Sequence, residues 1–129
     1  IDHLHYREVV HRNLQKDNVL ICGHTAKISN HHIVSPKKIM LTCRGLDDVM
    51  DYLAPEIVRA EPFDHWVDVW AAGVLMYEML SGRLPFSTGN RMRLSMRIMV
   101  VDLHIPLPIT PLAGDLIRRL IVKDKKDRL

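Results

Sequence analysis

The sequence is poor in cysteine, glycine and aromatic residues, and it has no long uncharged apolar run. Two cysteines, Cys22 and Cys43, are too few for a disulfide scaffold, so reduced thiols in the cytoplasm or nucleus are predicted. The longest apolar stretch, 67–80, contains Asp68 and Glu78 and is too short and too charged to span a bilayer. Nothing in residues 1–15 resembles a signal peptide.

The remaining composition is that of an ordinary folded domain. Of the 129 residues, 47% are hydrophobic and 26% are charged, which excludes a mainly disordered chain. The net charge of +3 is too small to indicate a nucleic-acid partner. We expect one domain, or part of a larger one, because the sequence starts abruptly inside a helical pattern.

Hydrophobic periodicity predicts a mainly helical chain with a few short strands near its start. The predicted helices are 1–8, 66–80, 90–101 and 112–122. The predicted strands are 9–10, 19–21 and 26–28. Helix 66–80 is apolar on nearly every side, which predicts a position at the centre of the core, and Gly82 follows it as a stop signal. Long loops are predicted at 33–51 and 102–111.

Two of these helices carry a one-sided apolar stripe. In helix 112–122 the predicted buried stripe is Leu116, Leu120 and Ile121. In helix 90–101 the stripe is Met92, Met96 and Met99. We interpret these methionines as a core face, with docking of a partner helix as the alternative. Arginines at 91, 93 and 97 lie between them and fit either a docking surface or a solvated face.

Four short segments occur in an order that is typical of one family. They are His11–Asn18, Ile28–His32, Tyr52–Glu56 and Asp68–Val74. Their order and spacing resemble the C-terminal lobe of eukaryotic protein kinases, in which these segments are the catalytic loop (H-R-D-L-x-x-x-N), D-F-G, A-P-E and the central helix. The resemblance implies an α+β protein-kinase-like fold, namely a mainly α-helical C-terminal lobe with short β-strands around the catalytic-loop position.

The resemblance covers nearly the whole chain. Segments 81–86 and 124–129 extend it. The sequences of 52–56 and 81–86 are similar to those of the calmodulin-dependent serine/threonine kinase group. We therefore predict one kinase-like domain over residues 1–129 that consists of the C-terminal lobe only. No Gly-rich nucleotide loop or strand lysine precedes it in this chain.

The residues that perform the family's chemistry are replaced. Asn13 stands where the resemblance implies the aspartate that accepts the substrate's proton. An amide is not a useful base near neutral pH, and loss of a general base costs on the order of 10²–10⁴ in rate. Gln15 stands where these kinases use a lysine that steadies the transferred phosphate.

The metal-binding and substrate-binding positions also differ from the pattern of the family. Asn30-His31-His32 occupies the D-F-G position, and Asn18 matches the second metal ligand, so two amides replace the carboxylate that magnesium prefers. Val49 lacks the hydroxyl with which a threonine ties the substrate loop to the catalytic loop. ATP and magnesium are the family's ligands, and the sequence predicts weak binding of both at best.

The residues that the resemblance assigns to the scaffold are kept. The resemblance implies that His11 braces the loop and that Arg12 pairs with a phosphorylated activation loop. Ser35 and Thr42 are the candidate phosphosites. The alternative is that these two residues are exposed hydroxyls without such a role. The resemblance also implies that Asp68 holds the loop backbone and that Glu56 and Arg128 form a buried ion pair.

Retention of the scaffold with loss of the chemistry predicts a pseudokinase-like scaffold or regulator that binds other proteins. Helix 90–101 is the candidate binding surface, and no membrane or nucleic acid is expected. The alternative is a weak or atypical ATP-dependent serine/threonine kinase. A zinc site at His3 and His5 or at His31 and His32 is disfavoured, because neither pair has the spacing of a helical zinc site.

Overall fold

A computed structural model describes residues 1–29 and 50–129. The helices are α1 (Asp2–Tyr6), α2 (Pro55–Val58), α3 (Trp66–Ser81), α4 (Arg91–Val100) and α5 (Pro111–Leu120), and the strands are β1 (Val19–Cys22) and β2 (Thr25–Ile28). Short 3₁₀ turns cover Lys16–Asn18, Met50–Tyr52 and Lys125–Asp127. This confirms the predicted α+β class, mostly helical with a small sheet. Among these residues, no helix combines the length and apolar character needed to cross a membrane.

Helix α3 lies at the centre of the core, as its apolar sequence predicted. Trp70 and Val74 are fully buried, and the Trp70 ring stacks on Phe86 at 5.7 Å between centroids. The helix ends at Gly82, whose left-handed φ of 73° lets its amide donate to the Glu78 carbonyl. Helix α5 and the turn at 50–52 pack against α3. Helix α3 therefore lies beneath the candidate active site that is described below.

The two strands form an antiparallel hairpin in which Val19 pairs with Ile28 and Cys22 pairs with Thr25. The prediction of a third strand at Val9 and Val10 was wrong. The Val9 amide donates to the Leu4 carbonyl at 2.9 Å and closes the end of α1, with Glu8 in the left-handed region. An amide used in this way cannot pair with a neighbouring strand.

Of the three α4 methionines predicted to form a core face, two are exposed and Met99 is half-buried, so the predicted face was wrong. Met92 and Met96 are exposed, and the buried side chains are Leu94 and Ile98, where α4 packs against α2. Residues two positions apart lie on opposite sides of a helix, and both pairs have i, i+4 spacing. Periodicity alone therefore could not decide which pair would be buried.

The buried stripe of α5 is rotated by one residue from the prediction. Leu116 is exposed, Ile117 is fully buried and Ile121 is buried as predicted. The helix begins one residue early, at Pro111, because the Thr110 hydroxyl accepts from the Ala113 amide and caps it.

Replacing Gly73 with alanine is expected to lower the free energy of unfolding by about 1–2 kcal/mol. A Cβ at this position of α3 would stand 2.7 Å from Ile121 Cγ1 and 2.8 Å from Leu120 Cβ. Urea unfolding of the full-length protein measures the effect. Gly89→Ala is the matched control, because nothing lies within 4 Å of a Cβ there. Equal stability of the two variants would contradict close packing of α3 on α5.

Candidate active site

The loop at 9–18 is fixed to the first turn of α3 by one buried carboxylate. Asp68 accepts the backbone amide of His11 through Oδ2 and that of Arg12 through Oδ1, both at 2.7 Å. His5 of α1 approaches the same Oδ2 with Nε2 at 2.8 Å. Since Asp68 is only 1% exposed, these bonds are shielded from water and hold the loop in one position.

The hydrogen bond to Asp68 stabilises an unfavourable backbone conformation of Arg12. Its φ of 66° is in the left-handed region, which costs a non-glycine residue roughly 1–2 kcal/mol. The short bond from its amide to Asp68 offsets that cost. Its guanidinium carbon lies 5.7 Å from the centre of the Phe63 ring, within the range of a cation–π interaction.

His11 connects the loop to the end of the hairpin. Its Nε2 lies 3.0 Å from the Ser29 carbonyl, which can only accept, so Nε2 carries a proton. Its Nδ1 accepts from the Asn13 amide at 3.3 Å. The ring is buried and braces the loop from beneath.

Asn13 and Gln15, which the sequence predicts to occupy the base and phosphate-clamp positions, form a neutral pair. The Gln15 side-chain amide donates to Asn13 Oδ1 at 3.2 Å. In this bond the Asn13 oxygen already has a donor, and neither side chain carries charge. The structure therefore brings the two predicted positions together, but in a form with no proton acceptor of useful basicity and no cation.

Asn18 belongs to the internal bonding of the loop. It is buried, its Nδ2 donates to the Asn13 carbonyl at 2.7 Å, and its own carbonyl accepts from the Ser29 amide at 2.8 Å. As a ligand it offers magnesium one neutral oxygen, which fits that ion poorly. No group of three His, Cys, Asp or Glu side chains within 1–29 and 50–129 is placed to hold a metal ion.

A second connection, which the sequence analysis missed, joins the loop to the far end of α3. Glu78 accepts from the Lys16 ammonium at 2.9 Å and from the Tyr52 hydroxyl. Burial, together with the bond to Glu78, raises the pKa of Tyr52 well above its usual value. The same carboxylate raises the pKa of Lys16 through its hydrogen bond and its charge. The signal that could have found it is Glu78, which with Asp68 is one of two acids in a mainly apolar helix.

Asp51 lies beside this connection. Burial raises the pKa of the Asp51 carboxyl, and the charge of Glu78 adds to the effect, while a hydrogen bond with Ser87 opposes it. The two acids therefore concentrate negative charge under the turn at 50–52.

Glu56 and Arg128 form a bidentate ion pair in the core. The two guanidinium–carboxylate distances are 2.6 and 2.8 Å, and both residues are at least 95% buried. Arg128 also donates to the carbonyls of Trp66 and Val122, and it lies 5.1 Å from the centre of the Trp70 ring. One side chain thus connects α2, α3 and the segment after α5.

Several predicted site residues lie outside the described residues. They are Asn30, His31, His32, Ser35, Thr42 and Val49. The metal position at Asn30, the phosphosites and the substrate-loop anchor therefore stay predictions.

Comparison with known proteins agrees with this geometry. The chain is 38% identical over 130 residues to an Aurora kinase of Yarrowia lipolytica, covering 98% of this chain and 34% of that protein. It is 35% identical over 131 residues to cAMP-dependent protein kinase type 3 of Saccharomyces cerevisiae, covering all of this chain and 32% of that protein. It is 35% identical over 135 residues to human RAC-beta serine/threonine-protein kinase, covering all of this chain and 27% of that protein.

The chain thus spans about a third or less of the length of these relatives. The family model described as "Protein kinase domain" matches residues 1–129. Since this match covers the whole chain, the chain belongs to the protein kinase domain family.

Proposed function

We propose that this kinase domain is impaired in phosphoryl transfer and acts as a scaffold or regulator by binding other proteins. The observation that carries the proposal is the neutral hydrogen bond between Gln15 and Asn13. Phosphoryl transfer depends on a group that orients the nucleophile and on cations that offset charge on the phosphate. This pair supplies neither.

The supporting frame of the same loop is intact, which favours a retained binding role over general decay. Asp68 and His11 hold the loop backbone, and the Glu56–Arg128 pair holds the lobe beneath it. Asp68, His11, Glu56 and Arg128 are all buried, so these contacts would be costly to lose. A domain that no longer needed its shape would have no reason to keep them.

A weak or atypical ATP-dependent serine/threonine kinase is the second candidate. The described observation in its favour is Asn18, which keeps the position of a metal ligand inside a well-bonded loop. The relatives described above also carry kinase names, and one is named a serine/threonine-protein kinase.

Two finer assignments belong to the same proposal. We propose that residues 1–129 correspond to the C-terminal lobe of a kinase domain, since the catalytic-loop segment lies close to the start of the chain. The grouping with calmodulin-dependent kinases rests on the sequences of 52–56 and 81–86. It stays a prediction, because the relatives described above carry Aurora, cAMP-dependent and RAC names.

The full-length protein is expected to transfer no more phosphate to a generic substrate than its Asn18→Ala variant does. Both proteins are incubated with labelled ATP and either magnesium or manganese, because manganese tolerates poorer ligand sets. The physical reason is that loss of one ligand cannot reduce an activity whose base and clamp are already absent. Asn90→Asp, at an exposed position away from the loop, keeps the cap of α4 and controls for preparation losses. Incorporation by the wild type well above Asn18→Ala would favour the kinase alternative.

A further inference from the structure

Thr110 carries an exposed hydroxyl between two prolines, far from the loop at 9–18 in the sequence. Of the seven prolines, two directly follow a serine or threonine, at Ser35-Pro36 and at Thr110-Pro111. The second of these also has a proline two residues before the hydroxyl, at position 108. Proline-directed protein kinases select a hydroxyl that is followed by proline, whose missing N–H suits a cleft with no acceptor at that point. The sequence around Thr110 therefore has the features of a substrate segment.

The backbone presents Thr110 in a form that such a kinase can bind. Its φ of −61° and ψ of 152° lie in the extended polyproline II region. Thr110 and both flanking prolines are exposed. Within segment 106–111, which is described throughout, one amide donates a backbone hydrogen bond, from Ile109 to the Pro106 carbonyl at 3.0 Å. A segment held by one such bond and by the buried Ile109 side chain opens more easily than a helix does.

The Thr110 hydroxyl has a structural role that leaves its proton available. Its Oγ1 accepts from the Ala113 amide at 3.3 Å and so caps α5, while its carbonyl accepts from the Gly114 amide at 2.8 Å. The hydroxyl proton has no acceptor among the described residues. A phosphoryl group can therefore replace this proton without breaking a hydrogen bond of the folded chain.

The surroundings of Thr110 favour a negative group. The first turn of α5 contains no acidic residue, and the backbone dipole places partial positive charge there. Arg118 extends back along the helix, since its Nη1 would stand 3.6 Å from a Cβ at Gly114. Within 1–29 and 50–129 this guanidinium has neither a hydrogen bond nor an ion pair. The next acid along the helix, Asp115, is already paired with Arg119 at 3.0 Å.

We propose that Thr110 is a phosphorylation site for a proline-directed protein kinase and that its phosphate strengthens the cap of α5. In this step Oγ1 bonds to the γ-phosphorus of ATP, and the bond from that phosphorus to ADP breaks. The hydroxyl proton passes to the carboxylate base of the acting kinase. The phosphate oxygens then accept from the Leu112 and Ala113 amides, which have no acceptor within the helix. This chain is here the substrate, whatever its own activity.

Phosphorylation of the full-length protein tests the site. The wild type is incubated with ATP, magnesium and a purified kinase that requires proline after the acceptor and prefers it two residues before. Peptide mass spectrometry then locates the phosphate. We expect Thr110 to be phosphorylated, and Pro111→Ala to be phosphorylated there at least about tenfold more slowly. The matched control is Pro62→Ala, because Pro62 is exposed and follows a glutamate. It should keep the wild-type rate at Thr110.

Thermal unfolding tests the effect of the phosphate. The Tm of the phosphorylated wild type is expected to be about 1–4 °C above that of the unmodified protein, because a negative group at the helix start is favoured. The shift should shrink as salt is added. Thr110→Asn, treated in the same way, should show no shift, since asparagine keeps the cap but has no hydroxyl. This variant also separates Thr110 from Ser35, which keeps its own proline.

Three results would overturn the proposal. They are absence of phosphate from Thr110 of the folded wild type, a wild-type rate in Pro111→Ala, and a Tm that does not rise on phosphorylation of Thr110. Phosphate on Thr110 without the added kinase would also overturn it, because the chain would then modify itself. That last result would end the proposal of impaired phosphoryl transfer as well, whereas the first three leave that proposal standing.

Discussion

Replacing Arg128 with methionine is expected to lower the free energy of unfolding of the full-length protein by about 3–5 kcal/mol. The substitution leaves the Glu56 carboxylate buried without its partner at 2.6 and 2.8 Å. It also removes the donor to the partly buried carbonyls of Trp66 and Val122. Urea unfolding followed by tryptophan fluorescence measures the loss, since Trp70 lies under the guanidinium.

A double-mutant cycle separates the ion pair from the packing. Glu56→Met with Arg128→Met should cost much less than the sum of the two single changes, because the double variant buries no unpaired charge. Arg119→Met is the matched control; its pair with Asp115 is exposed on both sides and should contribute less than about 0.5 kcal/mol. A loss for Arg128→Met as small as that for Arg119→Met would show that the buried pair does not hold the lobe.

Restoring the family's charges should restore chemistry if the amides are the cause of its loss. The full-length triple variant Asn13→Asp, Gln15→Lys and Asn30→Asp is expected to transfer phosphate from ATP at least about 10²-fold faster than the wild type. Asn13→Asp alone should gain far less, because the Gln15 amide still donates to that side chain and no cation faces the phosphate. Initial rates with labelled ATP and magnesium give the comparison.

The pair at 13 and 15 should behave as a unit in this series. The double variant Asn13→Asp, Gln15→Lys is expected to be faster than the wild type by a factor larger than the product of the factors for the two single variants. The reason is that each restored charge stabilises the other. Asn90→Asp is the control, because Asn90 caps α4 through its side-chain oxygen and aspartate keeps that cap. A triple variant no faster than the wild type would place the defect elsewhere in the protein.

The sequence predicted the parts of the fold that depend on strong local signals. Helix α3 followed from its largely apolar run and from Gly82, and the two strands of the hairpin followed from short β-branched or aliphatic runs. The faces of α4 and α5 did not follow, because in each helix two sets of apolar residues share the helical period. Only tertiary packing decides between such sets.

The candidate site divides in the same way. The order of the motifs placed Asn13, Gln15 and Asn18 in one loop, where hydrogen bonds join Gln15 and Asn18 to Asn13, and the roles of these residues stay predictions. The connection from Lys16 to Glu78 was missed because its partners are 62 residues apart and Glu78 belongs to no motif. Glu78 signals that a partner exists, but the path of the backbone decides which residue that partner is.

The way in which the loop is held bears on how such a site can change over generations. Its shape depends on Asp68, on the His11 ring, on the Asn18 side chain and on backbone groups, and among the described residues the Asn13 side chain takes part through Gln15. A swap between carboxylate and amide at position 13 therefore leaves folding almost untouched. Selection for a stable polypeptide does not act on that substitution. A lineage can therefore gain or lose the activity while every ancestor along the way still folds.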